Sequence, residues 1–320
     1  MSECKQPACQ EQFKTLIGGQ ALIEGILMQG PEQRAIVLRK ADGTLERKEE
    51  PVKKHTGFLA LPLIRGVVNF LSSMVNGVKA LMYSAEFLPE DEQEQPSRFE
   101  QWFEKKFGSE KLEKAVVTVS VVLGVALSIG LFILLPTLLG GIFDRWLHSP
   151  LARCIIEGVL RIVIFLAYLI LISKTKDMKR VFSYHGAEHK SIRCYEARLP
   201  LTVENVRVQT RFHPRCGTSF LFVVVILSIL IFSLVSVILP TDNMFLRLLL
   251  RLALLPVVVS VSYEFNRLVG RHDNWLTHIL TAPGMWMQRF TTNEPDDSMI
   301  EVAIEALTMV IPTQEGADRW

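Results

Sequence analysis

The sequence is short of the residues that mark several common protein classes. Cysteine occurs five times, at Cys4, Cys9, Cys154, Cys194 and Cys216, an odd number without a C-x-x-C pair, so a disulfide framework is not expected. The glycines near the start (Gly18, Gly19, Gly25, Gly30) do not form G-x-G-x-x-G and imply no nucleotide site. The opening MSECKQPACQEQFK has no apolar core, so no secretory signal is expected. A formal net charge of +2 argues against DNA or RNA as a partner. The local deficits say more. Residues 115–143 and 217–241 contain no charged side chain, whereas the segments around them are rich in charge.

Such runs are long enough to cross the roughly 30 Å hydrocarbon layer of a membrane. Ala115–Phe143 is one expected span, with Pro136 and Gly140–Gly141 near its exit, and Gly217–Thr241 is another, closed by Pro240. Two weaker spans accompany them. Leu151–Ser173 opens with Arg153, Glu157 and Arg161, spaced by four and so on one helix face; Phe245–Tyr263 carries Arg247 and Arg251, also four apart. Charges in a span either pair and snorkel near the helix ends or line a polar cavity; the sequence leaves both open. Four spans put both termini on one side. The middle loop, 174–216, holds ten Lys or Arg while the short connections hold only Arg145, so the positive-inside rule places that loop and both termini in the cytosol.

The expected class is a mainly α membrane protein with about four transmembrane helices. It carries a small N-terminal β element and cytosolic helices packed at the membrane face. The N-terminal region, 1–56, reads as strand, with a type I′ hairpin signal at Asp42–Gly43. Within it Glu24 stands alone in an apolar run. Region 57–114 holds an apolar stretch interrupted by Arg65, Asn69, Asn76 and Lys79, an interfacial amphipathic helix or a re-entrant hairpin, then a loop over Glu86–Glu94 and a charged lead-in. Region 115–263 is the four-span domain with its loop 174–216. In region 264–320, Pro283–Gly284 is expected to break the chain. A helix capped by Asn293 or Glu294 then follows, with Met299, Ala303, Ala306, Leu307 and Val310 as its apolar face.

The chemistry concentrates in YHGAEHKSIRCYE. His185 and His189 lie one helical turn apart, a workable spacing for zinc or a similar divalent metal. With Glu188 they make H-x-x-E-H, an order in which the histidines hold the metal and the glutamate acts as base. His213 and Cys216, in RFHPRCGTSF, reach the same membrane boundary, and so does Glu264 at the end of the fourth span. A closed set of four ligands would be structural; three ligands with Glu188 free would be hydrolytic. His55, His148, His272 and His278 lack such company. Arg193, Arg211 and Arg215 could hold an anionic group such as a lipid phosphate.

The blocks GGQALIEGILMQGP, LPLIRGVVNF, YHGAEHKSIRCYE, LTVENVRVQTRFHPRCGTSFLF, SYEFNRLVGR and PGMWMQRFTTNEPDDSMIEVAIEAL together resemble the bacterial YqhQ family, over roughly residues 16–310. That resemblance implies an integral protein of the bacterial cytoplasmic (inner) membrane, of unknown function and described as a metal-dependent enzyme. Its polar signature falls on His185, Glu188, His189, His213 and Cys216. The expectation is an enzyme, of hydrolase type, acting at the cytosolic membrane interface on a lipid or a membrane protein. The rival is a membrane scaffold or biogenesis factor docking the ribosome or another cytosolic partner, with a structural metal or none. A transporter is weaker, since no inverted repeat of broken helices is evident.

Overall fold

The computed structural model describes residues 13–53, 55–87, 109–142, 149–239, 241, 243–272, 274–314 and 316–319. Cys4 and Cys9, the loop from Leu88 to Glu94, most of the charged insert, the connection from Asp144 to His148 with Arg145, and Pro240 lie outside these residues. The chain forms two compact units. One comprises Met1–Phe87, Ile170–Phe222 and Tyr263–Trp320; the other comprises Leu88–Leu169 and Val223–Ser262.

The first unit is built on an antiparallel sheet in the order β1 (Gly18–Leu22), β2 (Gly25–Gln29), β3 (Gln33–Arg39), β4 (Leu45–Pro51). The strand GILMQ reads as continuously apolar because both faces of the sheet are covered. Ile26 and Met28 point with Ala35 and Val37 into one core; Leu27 points with Leu22, Ile36 and Leu38 into another. Two helices close the first core: α5 (Lys176–Glu196), through Tyr184 and Ala187, and α10 (Asp297–Thr308), through Met299, Val302, Ala303, Ala306 and Leu307. The second receives Ala80 of α1 (Ile64–Ala85). β4, LERKEEP, is a charged edge strand, a composition that discourages edge-to-edge pairing.

Several details depart from the sequence reading. The β3–β4 loop is not type I′, which requires two residues at positive φ. Only Gly43 has one (83°), and its N–H bonds the Lys40 carbonyl at 2.9 Å, the pattern of a type I turn followed by a left-handed glycine. α1 is one unbroken helix and not a hairpin; Leu71, Met74 and Val75 on its outer face are exposed. The helix α9 (Trp275–Thr291) runs through Pro283 without a break. It is fastened at its start by a capping box between Asn274 and Thr277, and one missing backbone hydrogen bond does not undo it. Gly284 then admits Ser219, whose Cβ lies 2.7 Å from where a side chain would begin. The cap of α10 is Asp296, which accepts from the Met299 N–H at 2.9 Å. Asn293 is spent earlier, its N–H donating to the Phe182 carbonyl.

Four helices are long and apolar enough to cross a membrane: Ala115–Ile142, Leu151–Ile172, Gly217–Ile238 and Met244–Arg271. The first comprises α2 (Ser109–Ile129), a π turn at Gly130–Leu134 and α3 (Leu135–Ile142); the others belong to α4 (Pro150–Ile172), α7 (Gly217–Ile238) and α8 (Met244–Arg271). The fourth is longer than expected, since SYEFNRLVGR continues the helix. Between α5 and α7 a short helix, α6 (Val203–Arg207), completes the set.

In the second unit the charged face of α4 is turned inward. Glu157 and Arg161 are buried, as are Arg247 and Arg251 of α8. Arg251 pairs with Glu157 and donates to the Thr137 hydroxyl, and Arg247 lies 3.8 Å from Glu157. Arg161 donates to the Phe132 carbonyl at 2.9 Å and to the Ser228 hydroxyl at 2.8 Å. Phe132 lies in the π turn, where the regular bonding is displaced, so Arg161 takes up a carbonyl at the irregularity. Glu157 of α4 and Arg251 of α8 thus pair from one helix to another, buried in the interior and not snorkelling at a helix end.

Candidate metal centre

The site is assembled from three segments of the first unit. α5 follows its N-cap residue Thr175, carries Asp177 in its first turn and Arg193 in its last, and so complements its own dipole at both ends. His185 and His189 follow one another along one face, with ring centroids 4.3 Å apart. Glycine at 186 is required by packing: a Cβ there would sit 2.0 Å from the Asn293 carbonyl oxygen. That close approach brings the end of α9 against α5.

Both imidazoles are oriented by backbone carbonyls. Nδ1 of His185 lies 2.8 Å from the carbonyl of Thr291, and Nδ1 of His189 lies 2.6 Å from that of Arg211. A carbonyl only accepts, so each Nδ1 carries a proton and faces away from the cluster. The Nε2 atoms face inward. His185 Nε2 is 3.2 Å from Cys216 Sγ, and His189 Nε2 is buried with no hydrogen-bond partner. Cys216 immediately precedes α7, and the Thr218 N–H approaches its sulfur at 3.4 Å, a helix-start environment that favours thiolate. Burial opposes ionisation of Cys216, but the facing imidazoles of His189 and His185 outweigh it and take the thiol well below its ordinary range. Burial likewise opposes a charge on His185, yet Cys216 and then Glu188 reverse the balance and raise it to about 9.

The ligand atoms of His185, His189 and Cys216 all lie within 4.8 Å of one another. Zinc bonds of about 2.0–2.3 Å in a tetrahedron need ligand separations of roughly 3.5 Å, so a small contraction would suit this donor set. Its orientation by backbone acceptors is that of a histidine metal ligand. Glu188 completes the cluster. Its Oε1 accepts from the Gly19 N–H of β1 at 2.9 Å, and its Oε2 is buried without a partner. Burial pushes its carboxyl up, and the neighbouring His185 and His189 pull it part of the way back. Gly19 also makes room, since a Cβ there would stand 3.1 Å from Glu188 Cδ.

The remaining sequence candidates lie elsewhere. Glu264 does not join the cluster; it forms a two-pronged ion pair with Arg65 of α1, at 2.7 and 2.5 Å. His213 stacks 5.7 Å from His189, centroid to centroid, but its Nε2 points to Glu196 at 3.3 Å. Burial lowers His213 to about 4. Glu196 is held below the usual carboxylate range: burial opposes ionisation, but the hydrogen bond from His213 and the charge of Arg215 prevail. The three arginines expected to bind an anion are engaged within the protein: Arg215 with Glu196, Arg211 with Glu294 at 3.5 Å, and Arg193 with the Phe212 carbonyl at 2.6 Å. Gln288 escaped the sequence reading. Fully buried in α9, it binds both the N–H and the carbonyl of His213, at 2.8 and 2.7 Å. Glu24, too, is partnered, by Arg180 and by the Tyr184 hydroxyl.

Four apolar helices and a sheet-and-helix unit carrying a His–His–Cys cluster define the class, a multi-span membrane protein with a candidate metal centre. The chain belongs to the family described as Protein of unknown function (DUF1385), which matches residues 61–313. It is 35% identical over 299 residues to the Uncharacterized protein YqhQ of Bacillus subtilis (strain 168), with 92% of each chain covered. This bears out the resemblance read from the sequence blocks. No solved structure matches the chain.

Proposed function

We propose that the protein is a metal-dependent enzyme of hydrolase type, with its centre at the cytosolic face of the bacterial cytoplasmic membrane. The observation that carries the proposal is the orientation of the donors. Both histidines spend Nδ1 on backbone carbonyls, leaving His189 Nε2 unpartnered and His185 Nε2 facing Cys216, beside an unpartnered Glu188 oxygen. Nε2 of His185, Nε2 of His189 and Sγ of Cys216 would hold a divalent metal, zinc by the softness of the set, and that metal would supply Lewis-acid chemistry. Glu188 is the base. Oε1 is anchored on Gly19, so Oε2 is free to take a proton from the attacking water and return it to the leaving group. A scaffold with a structural metal would want a fourth ligand; His213 turned toward Glu196 supports the open, catalytic form. The basic 174–216 loop supports the cytosolic placement.

Metal analysis of the purified full-length protein tests this. About one zinc per chain is expected in wild type and in Glu188→Gln, and nearly none in His185→Ala or Cys216→Ser. Wild-type content below about 0.2 per chain after growth with zinc would overturn the metal reading. A Glu188→Gln variant that keeps its metal should lose on the order of 10²–10⁴ in hydrolytic rate.

A further inference from the structure

A cleft of about 1880 Å³ lies wholly within the first unit. One wall is the outer face of α1, with Phe70, Leu71 and Val75; Phe220, in the first turn of α7, continues it, its ring 6.2 Å from that of Phe70. Another wall is the last turns of α8 with Tyr263, Asn266 and Arg267. α7 and α8 are both candidate membrane spans, and these are their ends. The cleft therefore opens at the level where lipid head groups meet the chain ends.

Its charge is one-sided. The acidic residues of the lining are Glu50 and Glu196, each already facing an arginine, Arg34 and Arg215. Lys53, Lys79 and Arg267 line it too, and none of them makes a hydrogen bond or ion pair among the described residues. Arg267 stands beside Asn266, within a turn of the Arg65–Glu264 pair and of the Asn69–Tyr263 hydrogen bond (2.8 Å), so donors gather at this end. Arg267 feels the charge of Glu264, which Arg65 already holds, while no carboxylate pairs with Lys53 or Lys79 among the described residues, so an apolar wall beside this net positive charge fits an anionic amphiphile.

We propose that the cleft binds a single acidic phospholipid. Its phosphate lies at Arg267 and Asn266, its chains lie against Phe70, Leu71, Val75 and Phe220, and Lys53 and Lys79 supply the field that selects a negative head group. The lining includes Pro214, Arg215 and Gly217, the chain neighbours of Cys216. His185, Glu188, His189 and Cys216 do not themselves line the cleft, so the lipid is a ligand of the cleft and its binding does not rest on the function proposed above.

The test is native mass spectrometry and thermal unfolding of the full-length protein in detergent, titrated with phosphatidylglycerol, phosphatidylcholine of the same chains, or inorganic phosphate. Phosphatidylglycerol is expected to give a one-to-one adduct and raise Tm, and the other two are not. Arg267→Gln and, as a second variant, Lys79→Gln should each weaken the phosphatidylglycerol adduct, the former by about tenfold, while Lys176→Gln outside the cleft leaves it unchanged. Equal binding of both lipids overturns the proposal, as does binding of inorganic phosphate with the same affinity, or wild-type affinity in Arg267→Gln. Cys216→Ser should bind the lipid as wild type does. Failure of the metal reading therefore leaves this result standing, and failure of lipid binding leaves the metal content untouched.

Discussion

Two buried glutamates, Glu157 and Glu188, sit in opposite circumstances. Glu157, in the membrane-spanning unit, also has one oxygen without a hydrogen bond, but guanidinium groups face both of its oxygens, Arg251 at one and Arg247 at 3.8 Å from the other, and its loss would strand these buried cations. Glu188, in the sheet-and-helix unit, keeps one oxygen on a backbone N–H and leaves the other unpartnered beside two imidazoles and a thiol. The first arrangement is what stability demands of charge in a membrane. The second leaves a desolvated oxygen uncompensated, a cost that a folded protein tolerates where the group has a task.

The sharpest break in this comparison is to neutralise each acid in turn. Glu157→Gln should cost on the order of 3 kcal/mol, read as lost monodisperse protein and a lower Tm in detergent. Glu188→Gln should leave Tm unchanged or raise it, as replacing a strained functional group often does. Equal losses in the two variants would remove the distinction.

A smaller effect separates the two units at their close-packed glycines. Gly186→Ala drives a Cβ to 2.0 Å from a backbone oxygen, that of Asn293. Gly140→Ala drives one to 2.4 Å from the Glu157 side chain. Gly186→Ala should cost about 2 kcal/mol and also lower metal occupancy, because the Thr291 carbonyl that orients His185 lies two residues from Asn293. Gly140→Ala should destabilise while leaving metal content intact. Next comes Gln288→Ala, which strips both backbone partners from His213 and should cost about 1–3 kcal/mol by thermal unfolding.

The same contrast explains what the sequence made legible. Spans are written as long apolar runs, two of them uncharged and two carrying a few charges at helical spacing, so all four were visible, and the same spacing joins His185 to His189 without knowledge of the fold. Cys216 could be placed because its run of polar residues ends at a span. Glu264 and His213 were read as ligands on the same logic, but residue type cannot say which of two nearby partners a side chain prefers. Arg65 and Glu196 are those partners, and both lie in other elements. The orienting carbonyls of Thr291 and Arg211 carry no sequence signal, since every residue has one. Gly19 can be read from the sequence as permitting a tight turn or a close backbone approach, but nothing in the sequence names the neighbour that it or Gly186 admits, Glu188 and the Asn293 carbonyl respectively. The continuous α9 through Pro283 shows tertiary fastening at the ends prevailing over a local breaker.

The smallest predicted effect is acid sensitivity confined to one unit. The folded-state value of His213 is depressed to about 4, below the ordinary histidine value of 6.5. Between those values the unfolded chain binds a proton that the folded chain refuses, so stability is complete above about pH 6.5 and declines as pH falls toward 4. Glu196, also depressed, adds in the same direction: its contribution is present above 4.5 and is lost as pH falls through its lowered value. Hydrogen exchange, corrected for intrinsic rate, should show peptides spanning 190–216 and 285–292 loosening between pH 6.5 and 4. His213→Gln should abolish most of that slope. A uniform response across both units, or an unchanged slope in the variant, would show that burial of His213 is not what makes this unit acid-labile.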